Sequence, residues 1–386
     1  MSSSALRKIA SHLAATRYGL IRRPLLTIEA ATHRIIAIEQ YADAASLDRM
    51  PQVEFYDGVL CCGFVNVHCH LELSYLKGAI EEGCGHGEFA RQMGLQRNKA
   101  TLEERIVAAA AADRAMWEEG IDAVGDIVNS NDSFEVKSQS PIHYHSFVEK
   151  FGLRQPNSDI CRTLLHYPET SLTPHSIYSL NDAEFRSAIT TNDPAPLSIH
   201  FMESAAEREL FLGKGSLYEW YLREGFECDF LGYTSPANRL TQCVPPTKST
   251  ILVHCTDIDQ RDIEQIASHF TSKVYWALSP RSNRYISNCE PSSYRLLRQS
   301  GATICIGTDS LASNRSLSMV EELKLFKDIP LAELLQWATF NGAEALGISD
   351  RYGTLEEGRC SSLVQISGID LSTEQLTEHS TARRII

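Results

Sequence analysis

From residue 64 onward, short apolar runs rich in β-branched and aromatic residues alternate with longer stretches of helical period. The apolar runs fall at 64–67, 121–128, 142–148, 170–173, 197–201, 250–255, 274–278 and 302–307. Runs of this length that are apolar almost throughout are expected of strands buried on both faces. Helical periodicity occupies 102–120, 182–189, 207–224, 259–269, 292–300 and 319–326. Eight strands with intervening helices predict an α/β chain of the (β/α)8 TIM-type barrel class, with a doubly wound open sheet as the competing arrangement. The fourth strand is the least clearly marked.

The ends of the chain follow another rhythm. Short strands are expected at 25–29 and 35–38, separated by the polar turn Ala31-Thr32-His33-Arg34, and again at 53–56 and 59–60. Residues 331–346 read as two short helices stopped at Gly347, then a turn-rich stretch over 352–358 leads into a strand at 363–366. Pairing of the late strands with the early ones predicts a small β-sandwich domain made from both termini. The expected division is 1–62 and 348–386 for that domain and 63–347 for the barrel.

The polar residues at the strand ends carry the chemistry. In a barrel of this type functional groups gather at the C-terminal ends of the strands. The first strand ends in Asn66-Val67-His68-Cys69-His70, where a period of two puts His68 and His70 on one face. The fourth runs into Thr173-Pro174-His175, the fifth supplies His200 and then Glu203, the sixth ends at His254, the seventh at Ser279-Pro280-Arg281-Ser282-Asn283, and the eighth at Gly307-Thr308-Asp309. A lone histidine at a strand end is ordinarily structural, and Asp309 or Glu203 alone reads as a cap or turn residue. Together they make one metal site: His68, His70, His200 and Asp309 as ligands of a single divalent ion, Zn²⁺ first and Fe²⁺ second, with a position left for water. Glu203 is expected to carry protons from that water, with Asp309 as a first acceptor and His254 orienting the nucleophile. A two-metal site is disfavoured because no lysine lies near the fourth strand end.

Strand parity turns Glu149 inward near the mouth, where its carboxylate is a candidate substrate contact. The same parity makes His143-Tyr144-His145, a second His-x-His, buried packing rather than a ligand pair. Arg281 and Asn283 in the loop after the seventh strand, and Glu72 in the loop after the first, complete the candidate substrate contacts. The Gly-rich segment Gly78 to Gly87 reads as backbone close to a ligand or as a lid.

Bulk properties narrow the partners. Lys and Arg number 36 against 49 Asp and Glu, a formal charge of −13, so neither nucleic acid nor an anionic membrane is an expected partner. The 11 cysteines include no Cys-x-x-Cys pair and read as reduced thiols. With no apolar leader and no apolar run of spanning length, a cytoplasmic protein is expected.

Taken as a set, these motifs resemble the amidohydrolase superfamily, in its branch of cytosine, guanine and adenosine-type aminohydrolases and triazine chlorohydrolases. The motifs are Gly63 to Leu71, Thr173-Pro174-His175-Ser176, His200 with Glu203-Ser204, Val253-His254, Pro280 with Ser282-Asn283, and Gly307 to Ser310, extended by Ser313-Asn314 and Met319 to Glu322. Gly353 to Gly358 resembles the family's return into its β domain. Cys62 and Ser361-Ser362 depart from the family pattern, away from the metal set. The resemblance implies Zn²⁺ or Fe²⁺ on the residues named, substrate contact by His175, hydrolytic release of ammonia from an N-heterocyclic amine, and a homodimer. Chlorohydrolysis or other C–N (amide or imide) hydrolysis is the alternative, and a non-catalytic metal-binding protein the third. The loop after His70 and the stretch Phe147 to Gly152 also resemble aminofutalosine deaminases, whose substrate joins a 6-aminopurine to a benzoate; Arg281 would pair with that carboxylate.

Overall fold

The computed structural model describes residues 5–189, 194–291, 293–360 and 362–386. Ser292 and Ser361 lie outside the described residues. The chain divides into two compact units.

One unit comprises Met1–Asn66, Arg114–Ala123 and Ser318–Ile386. It holds a seven-stranded sheet to which both termini contribute: Val364–Ser367 pairs antiparallel with Val53–Cys61 on one side and with Thr381–Arg384 on the other. The expected pairing of late with early strands is present. This sheet is the part of the expected sandwich that the described residues show. At its middle is Leu6–Thr16, parallel to Val53–Cys61 and antiparallel to Pro24–Glu29. Its Ile9 packs with Leu26, Ile28 and Leu60, while Ala10 packs with Leu25 and Tyr41, so neighbouring residues feed cores on opposite faces. The buried ion pair of Arg384 with Asp122 (2.8 Å), the Arg384 guanidinium lying 3.4 Å from the Trp117 ring centroid, fastens the C-terminal strand.

The other unit comprises Val67–Asp113 and Val124–Leu317. The eight expected strands are β1 (Phe64–Cys69), β2 (Ile121–Val128), β3 (His143–Lys150), β4 (Thr170–Pro174), β5 (Leu197–Phe201), β6 (Thr250–His254), β7 (Val274–Leu278) and β8 (Thr303–Ile306). They form two four-stranded sheets in the orders β1-β2-β3-β4 and β5-β6-β7-β8. Isolated parallel bridges join Cys69 to Asp309 and Ser176 to His200, linking the C-terminal ends of β1 and β4 to the partners beyond β8 and in β5. The expected helix over 207–224 is two, Ala205–Phe211 and Gly215–Glu224, because Gly213 and Gly215 take φ of 64° and 83°. Gly307 has a packing reason: a Cβ there would lie 2.7 Å from that of His68.

No helix among the described residues is long and apolar enough to cross a membrane.

Candidate active site

Every expected ligand comes from a strand end of the second unit. The alternation of β1 sends His68 and His70 to one side, their ring centroids 4.9 Å apart, and His200 from β5 brings its ring to 4.8 Å from that of His68. Asp309, just after β8, places Oδ1 3.7 Å from His68 Nε2 and 3.4 Å from His70 Nε2. His68 therefore belongs to two groups of potential donors, one with His70 and Asp309 and one with His200 and His254, each with its atoms within 4.8 Å of one another. The four side chains are buried.

Neighbouring groups fix which atoms face inward. Asp309 Oδ2 accepts from Ser313 Oγ (2.7 Å) and from Ser282 Oγ, which leaves Oδ1 for the imidazoles. His200 Nδ1 donates to the carbonyl of His175 at 2.9 Å and so keeps the Nε2 lone pair free for a ligand. His254 Nδ1 lies 3.0 Å from Asn283 Oδ1 and must donate to it. The backbone is strained where these groups emerge: Met202, His254, Cys255 and Asp309 all take positive φ, between 51° and 73°. Left-handed non-glycine residues cost on the order of 1–3 kcal/mol each and persist where surrounding bonds hold them. Here the Thr308 and Asp309 amides both donate to His68 O at 3.0 Å, and the Thr256 amide donates to Met202 O at 2.8 Å.

Burial decides the charges. It drives the imidazole of His70 well below its ordinary range and that of His200 to about 3, with neighbouring histidines adding to the effect. Burial opposes ionisation of Asp309, but its bond to His68 and the nearby His70 and His254 hold it well below the usual carboxylate range. At neutral pH His70 and His200 are lone-pair donors and Asp309 is an anion. A set of neutral imidazoles around one carboxylate suits a divalent cation.

Glu203 stands beside this set with Oε1 3.8 Å from His254 Nε2 and 3.6 Å from His86 Nδ1. Burial would raise its pKa, yet His254, His86 and His200 outweigh it and keep the carboxyl below its ordinary value. Its backbone is clamped by Glu207, whose two oxygens accept the amides of Met202 (2.9 Å) and Glu203 (2.7 Å). Burial lifts Glu207 itself to about 8.

Over these groups opens a cavity of about 1160 Å³. Its floor includes His70, His175, His200, Glu203, His254 and Asp309, and its outer wall Phe89, Met93, Phe151, Trp220 and Phe226. His175 stacks on His200 with ring centroids 4.7 Å apart, and burial lowers its pKa to about 4. Glu149 also lines the cavity, with Oε1 3.4 Å from His200 Nδ1 and Oε2 accepting from Asn129 Nδ2 at 3.0 Å. Glu149, His175 and His200 form another close group. The His200 Nδ1 proton is taken up by the His175 carbonyl, so this group lacks one donor for a cation.

Three expected substrate contacts are placed differently. Arg281 is not among the cavity-lining residues; its Nε donates to Asn314 Oδ1 at 3.1 Å. Glu72 is buried under the rim, where it accepts from the Asn129 and Ser130 amides (3.0 and 2.8 Å) and from Arg97 Nη2 (3.3 Å). Asn283 serves His254. His143 and His145 enter none of the close donor groups among the described residues, as expected; His145 Nε2 bonds Ser171 Oγ at 2.8 Å. Sequence reasoning gives no individual role to His86, Asn129, Ser282, Ser313 and Glu207. Ser282 and Ser313 stand in the motifs that carry the family resemblance, and His86 is a histidine in the Gly-rich segment after β1.

The Amidohydrolase family model matches residues 59–383. An adenosine deaminase of Helicobacter pylori is 27% identical over 318 residues, 77% of this chain and 76% of that protein. Among solved structures, the aminofutalosine deaminase of Helicobacter pylori in complex with methylthio-coformycin superposes with a TM-score of 0.80 at 23% identity, covering 98% of this chain and 100% of that one. The zinc complex of atrazine chlorohydrolase from Arthrobacter aurescens reaches 0.69 at 18% identity, covering 92% and 86%.

Proposed function

The chain belongs to the amidohydrolase family, and we propose that it is a metal-dependent deaminase that releases the exocyclic amino group of a 6-aminopurine nucleoside, or a closely related N-heterocyclic amine, as ammonia. The observation that carries this reading is the convergence of His68, His70, His200 and Asp309 beside Glu203, at the floor of a cavity large enough for a nucleoside. The names of the similar proteins support the same class. The two bridges at the strand ends support closure of the two sheets into a (β/α)8 barrel. The sharing of His68 by two of the close donor groups, with His200 Nδ1 committed to a carbonyl, supports one ion, and the N/O character of the donors supports zinc.

His68, His70, His200 and Asp309 would hold the ion, which would supply the Lewis acidity that makes water a nucleophile at neutral pH. Glu203, ionised beforehand, takes the first proton of the attacking water and delivers it to a ring nitrogen of the substrate. His254, its Nδ1 bonded to Asn283, orients the attacking oxygen. As the C–N bond breaks, the second proton of the original water passes through Asp309 or His254 to the departing amine. Water and the amine are thereby converted to a carbonyl compound and ammonia. His175 and Glu149, both at the cavity floor, are placed to contact the heterocycle.

A second reading is chlorohydrolysis, favoured by the similarity to atrazine chlorohydrolase. Chloride departs without a proton, whereas an amine needs one; the proton-handling set of Glu203 and its neighbours favours deamination. Ammonia release by the zinc-loaded protein should be assayed with adenosine, 5′-methylthioadenosine, aminofutalosine, guanine and cytosine, alongside chloride release from atrazine. Turnover of a 6-aminopurine nucleoside is the expected result. Chloride release without any deamination would favour the second reading, and no reaction at all would overturn both.

A further inference from the structure

Glu203 stands between two imidazoles. On one side His254 Nε2 lies 3.8 Å from its Oε1, beyond hydrogen-bond range. The carboxylate is 12% exposed and lines the cavity. On its other side lies His86 Nδ1, 3.6 Å from the same Oε1 and buried without a hydrogen-bond partner. A small rotation of either side chain brings that pair into hydrogen-bond range.

The placement of His86 is built rather than incidental. It opens the helix His86–Gln96 within the excursion between β1 and the helix Leu102–Glu118. The Gly83 and Gly85 amides donate to the carbonyls of Tyr285 and Ile286 at 2.6 and 2.8 Å, and Tyr285 Oη donates to Ile80 O at 2.7 Å. Below, Leu73, Leu76 and Ile80 bury themselves with Ala312, and Phe89 and Met93 of the same helix pack against them. The excursion is thus anchored just before and just after the histidine, and His86 itself lines the cavity.

We propose that His86 is a positioning residue for the proton carrier: in its Nδ1–H tautomer it donates to Glu203 Oε1 and aims the carboxylate between the attacking water and the substrate ring. This deepens the deaminase reading and rests on it for the role of Glu203, but the His86–Glu203 bond can be tested without turnover. Neutral histidine in water favours the Nε2–H form, so an Nδ1–H tautomer at His86 is a distinctive signature. Nitrogen-15 NMR of histidine-labelled, zinc-loaded protein, with His86 assigned by comparison with H86N, is expected to show Nδ1–H at this residue and a displaced resonance in Glu203→Gln.

In kinetics with 5′-methylthioadenosine as the probe, His86→Leu, which fills the space without a donor, is expected to lower kcat by about 10- to 100-fold, as misaimed catalytic groups do. KM and zinc content should change little. His86→Asn, whose Nδ2 stands near the place of Nδ1, is expected to recover most of the loss. A purely structural role would move stability and KM alike and would show no such rescue. An Nε2–H tautomer in the wild type, or a wild-type kcat in His86→Leu, overturns the proposal. If no substrate is turned over, the deaminase reading fails while the tautomer measurement still decides the bond.

Discussion

Replacing Glu203 by Gln is the most exacting substitution for the chemistry. The two side chains have nearly the same volume, and the carboxamide of E203Q still offers His86 an oxygen to accept from. Glu203 belongs to neither close donor group built on His68, so the metal donors keep their places. Its backbone amide stays clamped by Glu207 at 2.7 Å. What disappears is the capacity to take a proton. General acid–base help is typically worth about 10² to 10⁴ in rate, which is about 3 to 5 kcal/mol on the barrier. Steady-state ammonia release by E203Q should therefore show kcat reduced by at least about a hundredfold, with zinc per chain equal to wild type and KM within a few-fold. A kcat within about tenfold of wild type at full zinc loading would refute the reasoning, because the proton would then have another carrier.

Other consequences follow from the same geometry. Asn283→Ala frees the His254 ring to adopt either tautomer and should lower kcat by about tenfold or more while leaving zinc in place; unchanged kcat would show that the 3.0 Å bond does not fix the ring. Arg239 is fully buried and donates to the carbonyls of Ile177 and Leu180 and to Asp182, so Arg239→Met should cost about 3 kcal/mol in denaturant unfolding, and a loss below about 1 kcal/mol would contradict that role. Because burial lowers His70 well below its ordinary range and His200 to about 3, protons compete with a cation for these two ligands only in strong acid. Zinc should therefore survive dialysis at a pH a full unit below the ordinary histidine value of about 6.5; release between neutrality and that pH would show the imidazoles to be ordinary.

Much of the second unit is legible in the sequence, and for a physical reason. Strands buried on both faces must be nearly continuous in hydrophobicity, and β2, β5 and β7 run over the very residues their apolar runs mark. The polar residues that interrupt such runs at their C-terminal ends stand out, which is why His68, His70, His200 and Asp309 can be picked before any geometry is known. Leu6–Thr16 escapes a sequence reading although it lies at the middle of its sheet. Its Lys8, Ala10, Ser11, His12 and Ala14 have low strand propensity, and it forms because both of its faces are covered by the tertiary structure. The supporting residues are equally hidden. Ser282 and Ser313 stand in the sequence motifs without a visible role, and Glu207 looks like any helical glutamate, until the fold turns them onto Asp309 and the Met202–Glu203 amides. Arg281 shows the opposite case: a cation beside a functional loop invites a ligand role, and the fold turns its Nε onto Asn314.

Elemental analysis of the purified wild-type chain beside His200→Ala and Asp309→Ala reaches the central claim most directly. One zinc ion per wild-type chain, with each variant folded and depleted of it, is the result this account predicts. Variants that retain a full complement of metal, or a folded wild-type chain that takes up none from a zinc-containing buffer, would contradict it.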